Sequence, residues 1–424
     1  MHSYGNGGGH MSGTHTSLQE VGTCLLTVAV LVGLFVMSTP LSHAQTLTVL
    51  YNFTGGPDGG WPFAGLVIDA QGNLYGTTLI GGRTNCNPGQ GCGVVFKVSP
   101  NGTETVLHTF AGGTTDGEFP FSRLVLDEQG NMFGTAEGGG LYGQGTVFEL
   151  GPSGEETLLY SFNPQTDGIL PLAGLTRDEQ GNLFGTTSMG GYEGGDGTVF
   201  KVTPEGTETT LYSFADSRKS PGSYDPVAGL VRDAQGNLYG TTVYGGSREC
   251  KPLGRRGCGT LFEISADGTE KVLHDFTKSQ GDGYAPVADL VLDANGNLFG
   301  TTPKGGISPG NKGRGTVFEV LPDGTEKVLH AFTGKQDGCY PYAGLVMDSQ
   351  GNIYGTTSAC GAHGAGTVFE MTPDGTEKVL YSFDKKHAGS TSRGDLLLDA
   401  QGNLYGTTEL GGVYGFGTVF KLTP

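Results

Sequence analysis

Acidic side chains recur in this sequence inside a short Asp-Gly-x-x-Pro pattern, whose copies begin at Asp58, Asp116, Asp167, Asp282 and Asp337. The pattern is typical of a tight turn, because aspartate caps its own backbone, glycine accepts a positive φ and proline fixes the entry to the next segment. The alternative is a ring of carboxylates at the mouth of a channel, which would hold Ca²⁺ or a polar ligand through oxygen atoms. None of the copies has the spacing of an EF-hand, so we expect no cofactor, with Ca²⁺ as the one alternative.

The residue before each proline of this pattern changes from copy to copy. It is aromatic in three copies, at Trp61, Phe119 and Tyr340, and aliphatic in two, at Leu170 and Ala285. Aromatic rings at equivalent loop positions could stack on sugar rings or other apolar groups. Local packing under the neighbouring loops is the alternative explanation.

Histidine offers one candidate for acid–base chemistry, His363, which lies in a variable loop beside Cys360. His108, His274 and His330 occupy a strand position that holds tyrosine in other copies, which favours packing over catalysis. One histidine without an identifiable partner is not a catalytic set, so we predict no catalytic residues and no metal ligands. The predicted ligand site consists of Asp58, Trp61, Asp116, Phe119, Asp337, Tyr340 and His363.

These residues are carried by a unit that occurs seven times. Its signature is Gly-Asn-(Leu/Met/Ile)-(Tyr/Phe)-Gly-Thr-(Thr/Ala), with the asparagines at Asn73, Asn131, Asn182, Asn237, Asn297, Asn352 and Asn403. Units of this size cannot bury a core alone and must pack on one another. The unit at 171–214 contains four short strands, a to d, at 173–177, 182–187, 197–203 and 208–214. They are rich in Val, Leu, Thr and aromatic residues and show no helical periodicity, which indicates an antiparallel meander.

Loop lengths differ between the two ends of the unit. The phenylalanines of strands c and d are always 14 residues apart, as in Phe96 and Phe110, whereas the b–c loops contain 8 to 16 residues. In an antiparallel meander the b–c and d–a connections share one end, which we call the variable face. Binding usually takes place on variable loops carried by a rigid scaffold, so we expect the ligand there. The longest of these loops are 79–92, 243–258 and 303–314.

The two ends of the repeat array complement one another. Residues 417–424 form a strand c with no strand d after it, and 46–53 form a strand d with nothing before it. Pairing the two would close a ring and remove its open edges. Three aromatic residues in each unit would pack successive units. The sequence therefore predicts an all-β fold at 45–424, a seven-bladed β-propeller of four-stranded antiparallel blades, closed by the N-terminal strand.

The N-terminal segment indicates export. Cys24 to Met37 is an apolar run of 14 residues, and the small-x-small sequence Ser42-His43-Ala44 follows it. Residues 1–44 are therefore predicted to be a signal peptide, although no Lys or Arg precedes Arg83. An uncleaved anchor is the alternative.

Six cysteines outside the leader suggest disulfides in an exported chain. Zinc would need about four converging ligands, whereas these cysteines are distributed over separate units. Six cysteines allow 15 pairings, of which proximity within one loop favours Cys86–Cys92 and Cys250–Cys258, leaving Cys339–Cys360 as the third pair. The net charge of −18 opposes binding to nucleic acid. We expect a secreted or periplasmic monomer with no membrane span after cleavage.

The repeated strings also resemble a known family. Ala-Gly-Leu-Val-x-Asp-Ala-Gln-Gly-Asn-Leu-Tyr-Gly-Thr-Thr, followed by Gly-Thr-Val-Phe-Lys-Val-Thr-Pro-x-Gly-Thr-Glu, resembles the GloVer tandem repeat over 46–424. That repeat is named for Gloeobacter and Verrucomicrobia proteins of the choice-of-anchor type. The resemblance implies an exported propeller of unassigned activity, often with a separate C-terminal sorting or anchoring segment. Because the chain stops inside the last unit, we expect no such anchor here.

The expected function is that of a non-enzymatic binding or scaffold protein, which engages a polysaccharide or a protein outside the cytoplasm through the variable face. The alternative is a propeller lyase or hydrolase acting on a carbohydrate or a cyclic ester, since the units are also loosely similar to streptogramin-lyase-type and NHL-type propellers. Such an enzyme would need two titratable groups that converge near the channel. A structural role in an envelope layer is a third possibility.

Overall fold

A computed structural model describes most of the chain outside the leader. The predicted signal peptide at 1–44 and parts of the three longest b–c loops lie outside the described residues. In the part that is described, no helix is long and apolar enough to cross a membrane. The described residues are 45–82, 86, 89–192, 195–214, 224–246, 250, 257–278, 281–306 and 313–423.

Short strands account for the regular structure of the described residues. They are, in chain order, β1 (Thr46–Asn52), β2 (Val67–Ile68), β3 (Leu74–Thr78), β4 (Val94–Val98), β5 (Glu104–Thr109), β6 (Gly117–Glu118), β7 (Val125–Leu126), β8 (Met132–Ala136), β9 (Gly138–Gly139), β10 (Thr146–Leu150), β11 (Glu156–Ser161), β12 (Gly168–Ile169), β13 (Thr176–Arg177), β14 (Leu183–Thr187), β15 (Met189–Gly190), β16 (Thr198–Val202), β17 (Glu208–Ser213), β18 (Val231–Arg232), β19 (Leu238–Thr242), β20 (Thr260–Ile264), β21 (Glu270–Asp275), β22 (Gly283–Tyr284), β23 (Val291–Leu292), β24 (Leu298–Thr302), β25 (Lys304–Gly305), β26 (Thr316–Val320), β27 (Glu326–Ala331), β28 (Val346–Met347), β29 (Ile353–Thr357), β30 (Thr367–Met371), β31 (Glu377–Ser382), β32 (Leu397–Leu398), β33 (Leu404–Thr408) and β34 (Thr418–Thr423).

Seven four-stranded antiparallel sheets form the blades of a propeller, as the sequence predicts. The first blade has the order β2-β3-β4-β5, from strand a at the channel to strand d at the outer edge. Blades two to six follow with β7-β8-β10-β11, β13-β14-β16-β17, β18-β19-β20-β21, β23-β24-β26-β27 and β28-β29-β30-β31. Three short ladders, β6–β9, β12–β15 and β22–β25, join d–a loops to b–c loops on the variable face.

The seventh blade closes the ring with strands from both ends of the chain. Its order is β32-β33-β34-β1, and Thr46 pairs with Thr423 at one end of the β1–β34 ladder. In five of the seven blades, the first threonine of the Gly-Thr-(Thr/Ala) motif donates from Oγ1 to a carbonyl at the start of the next inner strand. Thr135 donates in this way to Ala173 at 2.9 Å, and Thr407 of the last blade donates to Ala64 of the first at 3.0 Å. The predicted closure is therefore confirmed.

The repeated a–b turn is held by one aspartate. Asp69 Oδ1 accepts bonds from the backbone N–H groups of Gln71 and Asn73, and its Oδ2 accepts bonds from Asn73 Nδ2 and Tyr75 Oη. Gly72 has a φ of 82°, a conformation that a Cβ would strain, and the equivalent glycine of every blade also has a positive φ. This network explains why Asp-x-x-Gly-Asn recurs, and it fixes the end of the ring opposite the variable face.

Aromatic pairs pack each blade on the next. Phe53, which follows β1, meets Phe96 of blade one edge-to-face with ring centroids 5.0 Å apart. Both side chains are fully buried. Equivalent pairs occur at all seven interfaces, including Phe383 of blade six with Phe420 of blade seven. The core is thus a ring of seven interblade clusters, and burial of each phenylalanine contributes about 2–3 kcal/mol.

Candidate functional site in the central channel

The central channel is lined by one short segment from each blade. In the first blade this segment is Phe63-Ala64-Gly65, which follows Pro62 and leads into strand a. The d–a loops end at the variable face, so the first residue of the segment lies nearer to that face than the third. Residues from all seven segments surround a cavity that offers about 90 Å³ to water. Such a volume accommodates several water molecules or a small polar group of a ligand.

An arc of aromatic rings and one guanidinium forms the outer layer of the channel. Arg393 lies over the ring of Tyr342 at 4.8 Å and over the ring of Phe63 at 5.2 Å. Phe63 in turn meets Phe121 edge-to-face at 4.9 Å. This arc spans four consecutive blades, from the sixth through the seventh and first to the second. The other three blades present aliphatic residues, so one side of the mouth is aromatic and the other is aliphatic. The first-position residues are Phe63, Phe121, Leu172, Val227, Val287, Tyr342 and Arg393.

Charged side chains form the inner layer, at the third position of the segment. This position holds glycine in four blades, Arg123 in the second, Asp289 in the fifth and Asp395 in the seventh. Arg123 Nη2 lies 3.9 Å from Asp289 Oδ2. Each aspartate Oδ1 accepts a 2.6 Å hydrogen bond from the backbone N–H of the glycine one blade earlier, Asp289 from Gly229 and Asp395 from Gly344. The carboxylates are therefore held in fixed positions in the channel.

Burial and charge act together on Asp395. Its side chain is partly exposed to water and lines the cavity, where channel residues surround its carboxyl group. This burial, followed by the negative charge of Asp289, raises the pKa of Asp395 to about 6, while Arg123 and the bond from Gly344 oppose the rise. Asp395 is therefore poised to exchange a proton near neutral pH.

The glycines beside these aspartates are required by close approach. A Cβ on Gly229 would lie 2.9 Å from both carboxylate oxygens of Asp289, and a Cβ on Gly344 would lie 2.9 Å from Asp395 Oδ1. Side chains at neighbouring third positions would therefore exclude one another. The charges are accommodated because glycines alternate with them around the ring.

The predicted carboxylates lie at the outer strands and not in the channel. Asp58 Oδ2 accepts bonds from Tyr51 Oη at 3.0 Å and from the backbone N–H of Thr54 at 2.8 Å. Asp116 and Asp337 make the equivalent contacts with the histidine of strand d and with their own turns. These bonds fit the interpretation of the Asp-Gly-x-x-Pro pattern as a turn. A ligand-binding role for the three aspartates stays a prediction.

The residues before the prolines share an unusual backbone conformation. Trp61, Phe119 and Tyr340 have φ values of 55°, 59° and 59°, and the equivalent residue of every other blade also lies in the left-handed region. Trp61, Phe119 and Tyr340 are each held by two backbone bonds. The Trp61 N–H donates to the carbonyl of Phe416 in the preceding blade at 2.9 Å, and the Trp61 carbonyl accepts from Leu79 at 3.1 Å. Such strain persists only where the surrounding structure imposes it. This position couples adjacent blades, and stacking of its side chains on a ligand stays a prediction.

The disulfides and His363 lie on the variable face. The three predicted pairs, Cys86–Cys92, Cys250–Cys258 and Cys339–Cys360, are present with Cα atoms 5.7, 5.5 and 5.4 Å apart. His363 is exposed in the loop that the third disulfide holds. Disulfides persist in oxidising compartments, so the three bonds indicate an extracytoplasmic protein.

Exposed apolar side chains on this face come from short b–c loops, which the sequence reasoning did not single out. Tyr192 is 80% exposed, Val413 70%, Leu141 61% and Tyr414 58%. Tyr142 lies beside Leu141 and is 46% exposed. The only signal in the sequence was a tyrosine after the Gly-Gly pair of three loops. These residues add an apolar rim to the variable face on blades two, three and seven.

Three clusters among the described residues bring His, Cys, Asp or Glu ligand atoms within 4.8 Å of one another. The cluster of Cys86, Cys92 and Glu118 is not a metal site, because its two sulfurs are joined in a disulfide. The other two clusters are His108–Asp116–Glu156 and His274–Asp282–Glu326, and both lie between outer strands, away from the channel.

Comparison with protein families agrees with the repeat pattern. A model described as the Gloeobacter/Verrucomicrobia repeat matches residues 33–253 and 250–424. The chain belongs to this repeat family. The family assignment confirms the expected resemblance and covers all seven blades. No curated protein matches the sequence.

Solved structures share the propeller architecture at low sequence identity. PorZ, a bacterial surface component of the type-IX secretion system of Porphyromonas gingivalis, is 16% identical over 85% of this chain, with a TM-score of 0.52. A protein described as the extracellular domain of the one component system BT4673 from B. thetaiotaomicron is 11% identical over 85%, with a TM-score of 0.50. The chain spans 46% and 38% of the lengths of these two proteins. A gluconolactonase from Xanthomonas campestris is 13% identical over 89% of both chains, with a TM-score of 0.41.

Proposed function

We propose that the protein is a secreted or periplasmic binding protein whose variable face recognises an uncharged, hydroxyl-rich polysaccharide. The observation that carries this proposal is the two-layered channel mouth, where the aromatic arc lies above two fixed carboxylates and an arginine. Aromatic faces pack on the apolar faces of sugar rings, while carboxylates accept and guanidinium groups donate hydrogen bonds to hydroxyls. The cavity is small, so it would hold a single residue or a substituent of the polymer.

The surroundings of the channel support a polymer as the ligand. The exposed rim tyrosines extend the apolar surface over neighbouring blades, farther than a small molecule in the channel could reach. The net charge of −18 disfavours a polyanionic polymer. Extracellular location is also a property of the two propellers with the higher TM-scores, which supports, by analogy of fold alone, a role outside the cytoplasm.

The test is binding of the mature chain to a glycan array, followed by calorimetry with the polysaccharide that gives a signal. Tyr192→Ala and Tyr414→Ala remove rim aromatics, and Phe63→Ala removes the centre of the channel arc. We expect each change to weaken binding by about tenfold, because one aromatic contact contributes roughly 1 kcal/mol or more. Val272→Ala, on an outer strand, is the matched control and should have no effect. Full affinity in all three tyrosine and phenylalanine variants would refute the proposal.

A second candidate function is a lyase or hydrolase acting on the same class of ligand. The specific observation in its favour is the raised pKa of Asp395 beside Asp289, since general acid–base catalysis is most efficient when the pKa lies near the working pH. Any activity found on a bound polysaccharide should then vanish in Asp395→Asn while binding persists. Product release at the wild-type rate in that variant would exclude this mechanism.

A further inference from the structure

A second arrangement of polar side chains lies between neighbouring blades at the outer strands. Five of the seven interfaces combine a tyrosine or histidine of strand d, the aspartate of the following Asp-Gly-x-x-Pro turn, and the glutamate that begins strand d of the next blade. Where the first residue is tyrosine, its phenol can donate a hydrogen bond to the aspartate, as Tyr51 Oη does to Asp58 Oδ2 at 3.0 Å. Glu104 completes that interface. Histidine changes the chemistry, because the imidazole offers a nitrogen lone pair that can bind a metal ion.

The interface between blades four and five leaves three ligand atoms without partners. His274 Nε2, Asp282 Oδ1 and Glu326 Oε1 are all buried, and none of them makes a hydrogen bond. Asp282 as a whole is only 9% exposed. The Nε2 of His274 lies 3.7 Å from Asp282 Oδ2, and one atom from each of the three residues lies within 4.8 Å of the other two. Asp282 Oδ2 accepts bonds from the Thr277 N–H at 2.6 Å and from Thr277 Oγ1 at 3.1 Å, so the uncompensated oxygens are Asp282 Oδ1 and Glu326 Oε1. Burying such oxygens without a cation or a hydrogen-bond donor is costly.

The interface between blades one and two repeats this arrangement. His108 Nε2 lies 3.4 Å from Asp116 Oδ1 and 3.9 Å from Glu156 Oε2, and these residues form the second cluster within 4.8 Å. Glu156 Oε1 is buried without a partner, as Glu326 Oε1 is. Two interfaces of the ring therefore present the same donor set of one imidazole and two carboxylates.

We propose that the clusters His274–Asp282–Glu326 and His108–Asp116–Glu156 each bind a divalent transition-metal ion of the Zn²⁺ type. One imidazole nitrogen and two carboxylate oxygens form a three-residue donor set that suits zinc, and a fourth position is left for water. Ligand atoms around tetrahedral zinc are roughly 3.4 Å apart, so the side chains need to close by about 1 Å. The histidine and aspartate come from one blade and its outgoing turn, while the glutamate comes from the next blade. The ion would therefore tie two blades together.

A third histidine interface provides a matched control within the same ring. His330 Nε2 lies 3.4 Å from Asp337 Oδ2, and donors of the turn at Thr333 and Lys335 occupy both oxygens of Asp337. In Asp116 and Asp282, by contrast, the turn donors that the structure describes bond to Oδ2. Among the described residues this interface does not form a cluster of converging ligand atoms. It should not bind the ion.

The experiment uses the mature chain stripped of metal with EDTA and titrated with Zn²⁺ alone, followed by calorimetry and by the thermal midpoint. The wild type should bind two equivalents, His274→Tyr and His108→Tyr one each, and the double variant none. His330→Tyr should keep both. Tyrosine is the residue found at this position in other blades, so the variants should fold, and their metal-free midpoints report folding directly. Co²⁺ absorption bands that disappear in the double variant would identify the ligands independently.

Two results would overturn the inference. One is a wild-type protein that binds no zinc at micromolar concentrations, in which case the carboxyl groups hold protons instead of a metal ion. The other is a double variant that folds and still binds two equivalents, which would place the ions elsewhere. Neither result bears on the channel, so failure here leaves the proposed polysaccharide site intact.

Discussion

Closure of the ring by β1 can be tested through a single side chain. Phe53 is fully buried, and its ring lies 5.0 Å from that of Phe96 in the next blade. Truncating a buried phenylalanine to alanine costs about 3–5 kcal/mol, which combines lost burial with the cavity left behind. Phe110 occupies the equivalent position between blades one and two, is equally buried, and lies 5.2 Å from Phe148. In a closed ring the two interfaces are equivalent, so Phe53→Ala and Phe110→Ala should destabilise the protein by similar amounts.

The assay is equilibrium unfolding in urea with oxidised protein, monitored by tyrosine fluorescence and by far-UV circular dichroism. We expect both variants to lower the free energy of unfolding by about 3–5 kcal/mol and to unfold in one transition with both probes. In an open array β1 would be a terminal strand that frays at little cost. A loss below about 1 kcal/mol for Phe53→Ala, with the full loss for Phe110→Ala, would therefore refute closure through β1.

Three further predictions concern pH, packing and the channel. Burial raises the pKa of Glu104, Glu156, Glu208, Glu326 and Glu377 to about 7, above their ordinary 4.5, so their contribution to stability is complete below about 4.5 and is lost as the pH rises through 7. With EDTA present, the thermal midpoint of unfolding should decrease as the pH is raised from 5 to 8, and Glu104→Gln should make that decrease smaller. A midpoint that increases over this pH range would contradict the raised pKa values of the glutamates. Gly185→Ala should cost about 1–3 kcal/mol in urea unfolding, because the new Cβ would lie 2.7 Å from Phe200 Cζ. Gly151→Ala should be nearly neutral, because its Cβ would meet the flexible end of Glu155 at 3.3 Å and the Glu155 carbonyl at 3.7 Å, an ordinary contact distance. Asp289→Asn should lower the pKa of Asp395, measured by carboxyl ¹³C NMR, by up to about one pKa unit, since burial is the larger cause and remains; an unchanged or higher value would show that the two carboxyl groups do not interact.

The fold could be predicted from the sequence because the same unit occurs seven times, and comparing the copies shows which positions keep their residue type. The Asp-x-x-Gly-Asn turn, the phenylalanines of strands c and d and the orphan strand at 46–53 each have one structural explanation, and the structure bears out all three. For the fold, the signal therefore lay in what the units share. Two disulfides followed instead from proximity within one loop, and Cys339–Cys360 was the pair that remained.

The channel could not be predicted in the same way, because its chemistry lies where the units differ. The repeated Ala-Gly-Leu string has glycine at the third position of the channel segment, where Arg123, Asp289 and Asp395 stand in three blades. A search for the shared string therefore does not select these three residues. The sequence pointed instead to the residues before proline, such as Trp61, because their side-chain types differ from unit to unit. The backbone at this position bonds to the adjacent blades whatever the side chain is, although the Tyr340 hydroxyl also accepts a bond from Arg314. Deviations from the repeat at the third position after proline were the available signal.

The spacing of glycines around the channel also limits where a further side chain could be placed in this chain. Four third positions are glycine. At Gly229 and Gly344, a neighbouring carboxylate occupies the space that a Cβ would need, and a Cβ on Gly65 would lie 3.0 Å from the Asp395 carbonyl. Only at Gly174 would the nearest atom be 3.5 Å away, an ordinary contact distance. A single codon change there could install another functional group without rebuilding the scaffold. Blade three is therefore the natural place to redesign ligand selectivity.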